Sequence, residues 1–134
     1  MLYLKSLVNV LDNSGAQIVE CIKVLGKNPK NCARIGDRMV VVVKKAKPIP
    51  ASLAGTVAAQ QKLRRGDIRH AVVVRTKQPT QRPDVTQIRF EDNACVLLQP
   101  NTTDPVGTRV TGVVARELKE KGYNKLVLLA PRSV

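Results

Sequence analysis

RRGDIRHAVVVRTK, residues 64–77, is the stretch on which the fold turns. Gly66-Asp67 is turn chemistry: glycine accepts positive φ and the aspartate side chain bonds nearby backbone. Ala71, Val72, Val73 and Val74 follow as an unbroken apolar run rich in β-branched residues, which favours an extended chain. An apolar run without alternation reads as a strand buried on both faces. Residues 39–45, MVVVVKK, carry the same signature and the same expectation. Residues 94–98, ACVLL, read as a shorter strand.

Working outward, Leu2, Leu4, Val8 and Val10 read as a first strand. DNSG at 12–15 is a turn, and residues 16–25 return as its partner strand. Residues 26–37 read as a basic loop or ribbon closed by Gly36-Asp37. From 47 to 61 two prolines and a glycine break any regular element and charge vanishes after Lys47, which describes a surface excursion. QPTQRPD at 78–84 reads as a second loop, followed by IRF as a short strand and EDN as a turn. Turns this frequent favour a small barrel or sandwich over a βαβ fold. Only the C-terminal third offers a helix, VARELKEKG, with Gly122 as its C-terminal stop. Arg116/Glu120 and Glu117/Lys121 stand at i,i+4, a spacing worth about 0.2–0.5 kcal/mol per pair. NKLVLLA at 124–130 fits a strand or a short helical turn equally well.

The 134 residues include one Phe, two Tyr and no Trp, so the core is aliphatic. The net charge is +13, and its placement is informative. Between Cys21 and Arg82 there are fifteen Lys or Arg against only Asp37 and Asp67, while the rest of the chain is neutral. A concentrated field of this kind attracts polyanions, nucleic acid before membrane. No apolar run approaches the ~20 residues of a membrane span, and the N-terminus has neither a signal nor a transit-peptide pattern. Cys21, Cys32 and Cys95 lack paired ligand spacing and read as reduced, half-buried or buried hydrophobes; with His70 the only histidine, no metal site is expected.

An enzyme would need an acid, base or nucleophile in a cleft. Asp12 and Ser14 are ordinary turn formers, Gly26, Gly36 and Gly66 are separated turn glycines, and His70 lies inside a strand. No catalytic residue and no cofactor is expected. A thiol- or metal-dependent enzyme would have to join His70 to Cys21, Cys32 or Cys95 in one cleft. The nucleic-acid reading is stronger. The expected RNA contacts are Lys44, Lys45, Lys47, Lys62, Arg64, Arg65, Arg69, Arg75, Lys77, Arg82 and Arg89. Such side chains neutralise phosphates in a salt-sensitive, sequence-independent way. Single-strand binders stack bases on aromatic platforms, which Phe90 alone cannot build, so the expected target is folded RNA.

Five blocks carry a resemblance: VLDNSGAQIVECIKVLG (10–26), IGDRMVVVVKKAKP (35–48), RRGDIRHAVVVRTK (64–77), RPDVTQIRFEDNACVLL (82–98) and GTRVTGVVARELKEKGYNKLVLLAP (107–131). In that order they resemble the universal large-subunit ribosomal protein fourteen family over nearly the whole chain. The resemblance implies a mainly β single domain: a small closed five-stranded β-barrel over about 1–98, a projecting β-ribbon, and a C-terminal loop region with two short helices over about 99–134. It assigns 124–130 to a helix. It implies binding to large-subunit rRNA, contact with a neighbouring large-subunit protein, and an intersubunit bridge to small-subunit RNA. In bacteria and organelles it also implies a docking surface for a ribosome-silencing factor, at Thr108, Arg109 and Lys125. A free-standing RNA-binding regulator on a similar barrel is the alternative.

Three departures from the family pattern stand out. Val85 replaces the glycine usual after RPD, and since β-branched residues resist positive φ this turn is expected to differ. Lys30, Asn31 and Cys32 replace the Arg and Tyr of bacterial members in the 26–37 ribbon. Residues 49–61 look like an insertion of roughly ten residues in a normally short connection. With LKS, ECIKV and KGYNK, the insertion points to a fungal mitochondrial member in the matrix ribosome; a bacterial cytoplasmic origin is the alternative.

Overall fold

A computed structural model describes residues 2–26, 32–48 and 63–134. Lys62, the 49–61 insertion, and Lys30 and Asn31 of the ribbon lie outside the described residues. Strands β1 (Leu7–Val10), β2 (Ala16–Val24), β3 (Arg38–Ala46), β4 (Ile68–Arg75) and β7 (Ala94–Leu98) form a closed barrel in the order β1-β2-β3-β4-β7. All neighbours are antiparallel except β1 and β7, whose parallel pairing (Asn9 opposite Ala94, Val10 opposite Cys95) closes the cylinder. Register shifts in β2 near Ala16–Val19 and between Cys21 and Lys23 supply the extra coiling a five-strand barrel needs.

The interior is filled by small aliphatic side chains: Val8, Val19, Cys21, Met39, Val41, Val43, Ala71, Val73, Cys95 and Leu97 are all buried. A barrel this narrow has no room for large rings, which accounts for the near-absence of aromatics. A second core lies outside the cylinder. There Val72, Val74, Ala94, Val96 and Leu98 meet Val110, Val114, Leu118, Tyr123 and Leu126 of the C-terminal third. Strands β4 and β7 are therefore buried on both faces, as their unbroken apolar runs require. β3 is not. Met39, Val41 and Val43 point inward, but Val40 and Val42 are only half-buried, because the second core covers β4 and β7 and does not reach β3.

The first strand is shorter than its alternation suggests. Lys5 takes φ 67°, Ser6 Oγ accepts from the Tyr3 N–H, and Leu2 instead bridges to Ala33. QPTQRPD is not a loop. It enters a hairpin, β5 (Thr80–Gln81) against β6 (Gln87–Ile88), which is separate from the ribbon expected at 26–37, a segment lying partly outside the described residues. Val85 at its tip adopts φ 71°, so the turn keeps the left-handed conformation despite its β-branched residue. The Asp84 carboxylate accepts from the Thr86 N–H and, at 2.6 Å, its hydroxyl.

The C-terminal region contains β8 (Val113–Val114) paired with β9 (Arg132–Ser133), and helices α1 (Glu117–Glu120) and α2 (Asn124–Leu129). α1 is a single turn closed by a Schellman motif: Tyr123 N–H reaches Leu118 O at 2.9 Å, and Gly122 N–H reaches Lys119 O at 3.3 Å. The expected i,i+4 pairs do not form. Glu117 pairs with Arg82, Arg116 with Asp84 at 3.3 Å, and Lys121 with Asp37 at 3.8 Å and Ile35 O at 3.3 Å. A helix of one turn has its neighbours across the fold, and its charged side chains fasten it to them.

The DNSG turn organises one end of the barrel. The Asp12 carboxylate accepts from Ser14 N–H (3.2 Å), Ser14 Oγ–H (2.5 Å) and Leu97 N–H (3.2 Å). Gly15 O accepts from Lys47 N–H at 2.8 Å, and Ser14 O from Leu63 N–H at 3.0 Å.

Candidate RNA-binding surfaces

Strand direction sorts the basic residues into two groups. β3 runs toward the DNSG end, where Ala46 pairs with Ala16, and the chain re-enters there at Asp67, whose carbonyl accepts from Val43 N–H. Lys44, Lys45, Lys47, Arg64 and Arg65 therefore crowd one end, all exposed. Lys44 is also paired with Glu20 at 3.2 Å. β4 runs the other way, so Lys77 stands at the opposite end. There Phe90 N–H bonds Thr76 O, and Lys77, Arg89, Phe90 and Glu91 line one shallow hollow. The nine residues of β3 set the two groups on the order of 30 Å apart.

Besides Lys44, three of the expected contacts are engaged within the protein. Arg75 Nη2 holds Asp92 at 3.1 Å, and its Nε is buried without a partner among the described residues. Arg82 pairs with Glu117 and donates to Val134 O at 2.6 Å. Arg69, half-buried, folds back on Ile68 O at 3.0 Å. Arg82 fastens the C-terminal region to the β5–β6 hairpin, and Arg75 lies against Gly112, where a Cβ would stand 3.3 Å from its guanidinium.

A groove of ≈ 280 Å³ beside the Lys77 end is lined by Arg34, Thr76, Gln78, Pro79, Thr80, Gln81 and Gln87. One exposed guanidinium, three amides and two hydroxyls form a donor-rich trough suited to phosphate and 2′-hydroxyl groups. Sequence reading missed it. Arg34 was one base among many in the 26–37 segment, and glutamines bring no charge signal; only the hairpin fold of 80–88 brings them together.

Thr108 and Arg109 are held side by side by Asn13. Its Oδ1 accepts from both backbone N–H groups, at 2.7 and 3.1 Å, and its Nδ2 donates to Thr108 Oγ1 at 2.8 Å. Asn13 is thus a positioning residue that the turn reading of DNSG left unassigned. Lys125 lies on α2 and faces Asp104, 3.8 Å away, so the same 104–109 segment links it to Thr108 and Arg109.

For Cys21 and Cys95 the thiol-enzyme reading fails on geometry. His70 lies on the outer face of β4 and accepts from Arg38 Nε at 3.0 Å, whereas Cys21 and Cys95 point into the closed interior. Burial pushes the Cys95 thiol well above its ordinary range, helped by the nearby Asp12 and Cys21, and raises Cys21 as well. Neither is a ready nucleophile.

A closed aliphatic barrel bearing cations at both ends, with its histidine and buried thiols kept apart, is the frame of a small basic β-barrel module. The family model for "Ribosomal protein L14p/L23e" matches residues 1–134. The large ribosomal subunit protein uL14m of Neurospora crassa is 50% identical over 131 residues, 98% of each chain. The protein of the same name from Schizosaccharomyces pombe is 47% identical over 134 residues, the whole of both chains. The chain belongs to the ribosomal protein L14p/L23e family, a family of structural ribosomal proteins and not of enzymes.

Proposed function

We propose that this protein is a structural constituent of the large subunit of a mitochondrial ribosome, where it grips rRNA through the two ends of its barrel. The observation that carries this is the pairing of full-length family membership with exposed cations at both barrel ends. Lys45, Lys47, Arg64 and Arg65 serve one RNA segment; Lys77, Arg89 and the Arg34 groove serve another. Lys44 and Arg69 lie nearby, and Lys62 belongs to the same basic stretch of sequence. A rigid barrel holding two RNA segments apart fixes their spacing, which is structural work. The fungal relatives, both named uL14m, support the mitochondrial assignment. The finer reading adds a bridge to small-subunit RNA, a neighbouring large-subunit protein, and a silencing factor docking at Thr108, Arg109 and Lys125.

Sucrose-gradient sedimentation tests the main reading: the protein is expected in the large-subunit peak, and a predominant pool outside ribosomes would favour a free-standing RNA-binding regulator. For the docking surface, Arg109→Glu with Lys125→Glu is expected to weaken silencing-factor binding and leave assembly intact. Loss of assembly in that variant would assign these residues to RNA or packing.

A further inference from the structure

The barrel has one outward face that the second core leaves uncovered. Across it the registers Leu7–Glu20, Glu20–Val42 and Val42–Ile68 place four outward side chains in one row over β1, β2, β3 and β4. Leu7 is 62% exposed and Ile68 58%, with Ile22 and the half-buried Val40 beside them. An aliphatic row of this kind on a chain of net charge +13 needs a reason. Its border is basic. Lys5 and Lys23 are exposed, Lys44 reaches Glu20, and the Arg69 guanidinium lies against Ile68 O.

We propose that this face, centred on Leu7, Val42 and Ile68, docks a neighbouring protein of the particle through a contact segment that is apolar and bordered by carboxylates. The inference rests on the ribosomal reading above. RNA fits poorly: three of the row's four side chains are aliphatic where a backbone needs donors, and the fourth, Glu20, is an acceptor already paired with Lys44. A second copy of this chain would bring Lys5, Lys23 and Arg69 against their own kind. A protein with an apolar centre and an acidic rim matches both the row and its border.

The test places a photo-crosslinking amino acid at Ile68 in cells whose only copy of the protein is the variant; the exposed Leu7 takes the probe if Ile68 blocks assembly. A probe at Lys77 in a parallel strain reports the rRNA side. Purified large subunits are irradiated. The expected result is a protease-sensitive adduct from Ile68 to a different protein, mapped by mass spectrometry to an apolar stretch flanked by Asp or Glu. Lys23→Glu with Arg69→Glu is expected to reduce that adduct about tenfold. An Ile68 adduct to rRNA, to a second copy, or to a segment without flanking acids overturns the proposal. So does the absence of an Ile68 adduct while Lys77 labels rRNA. Failure at both positions would sink the ribosomal reading together with it.

Discussion

Val85 shows what a single residue tolerates when its surroundings dictate the backbone. It is 82% exposed and holds φ 71°, a conformation that costs an L-residue about 1–2 kcal/mol. Arg82 N–H to Thr86 O at 2.8 Å, Val85 N–H to Arg82 O at 3.1 Å and the Asp84–Thr86 contacts close the turn around it. Val85→Gly should therefore raise stability by about 1 kcal/mol, read as a higher urea midpoint at unchanged slope. Asp12 is a second case. Burial raises its pKa above the usual 3.8, opposed by the bonds from Ser14 and Leu97. Between 3.8 and the raised value the folded state keeps a proton the unfolded chain has lost. This group's contribution to stability thus declines as pH rises through that window. Relative to Asp12→Asn, the wild type should gain stability as pH is lowered from neutrality toward 3.8, measured by paired denaturation curves. A constant difference would show that Asp12 does not titrate in this way.

At the level of elements, what was legible followed what local chemistry controls. The DNSG turn, β2, the doubly buried β4, the short strand β7 and the Gly122 stop are written in residue type and spacing. What was not legible depends on distant partners. The valines of β3 look the same in sequence as those of β4, and only the placement of the second core separates them. The hairpin at 80–88 was hidden because Gln, Pro and Thr show no apolar alternation. The site divides the same way: the positive field was plain in the chain. That Arg75 and Arg82 are engaged internally depends on Asp92 and Glu117, 17 and 35 residues away. The Schellman closure gives a clean test at this scale. Gly122 has φ 94° and nothing within 4 Å of where a Cβ would stand. Gly122→Ala should therefore cost about 1 kcal/mol or somewhat more through backbone conformation alone, seen as a lower midpoint and faster proteolysis near α1.

For the whole molecule, the decisive property is that cations occupy two ends of one rigid body. Phosphate contacts release counterions, and each one lost should lower the slope of log affinity against log salt by somewhat under one. Replacing Lys45, Lys47, Arg64 and Arg65 with Gln is expected to reduce that slope by about two to four for rRNA fragments bound by the isolated protein. Replacing Arg34, Lys77 and Arg89 should act independently, and the two sets should combine additively. A single set abolishing all salt dependence would mean that only one end meets RNA.

The two bonds at the DNSG turn, Lys47 to Gly15 and Leu63 to Ser14, have an evolutionary meaning. The chain departs from the barrel and rejoins it at one doorpost, so the strands on either side are already in place whatever is threaded between them. Lengthening a connection whose ends are fixed costs only about 0.6 kcal/mol per doubling. A gene could therefore grow or shrink at this point while the barrel stays as it is, and a lineage could try out new surface there without reopening the question of how the rest of the protein folds.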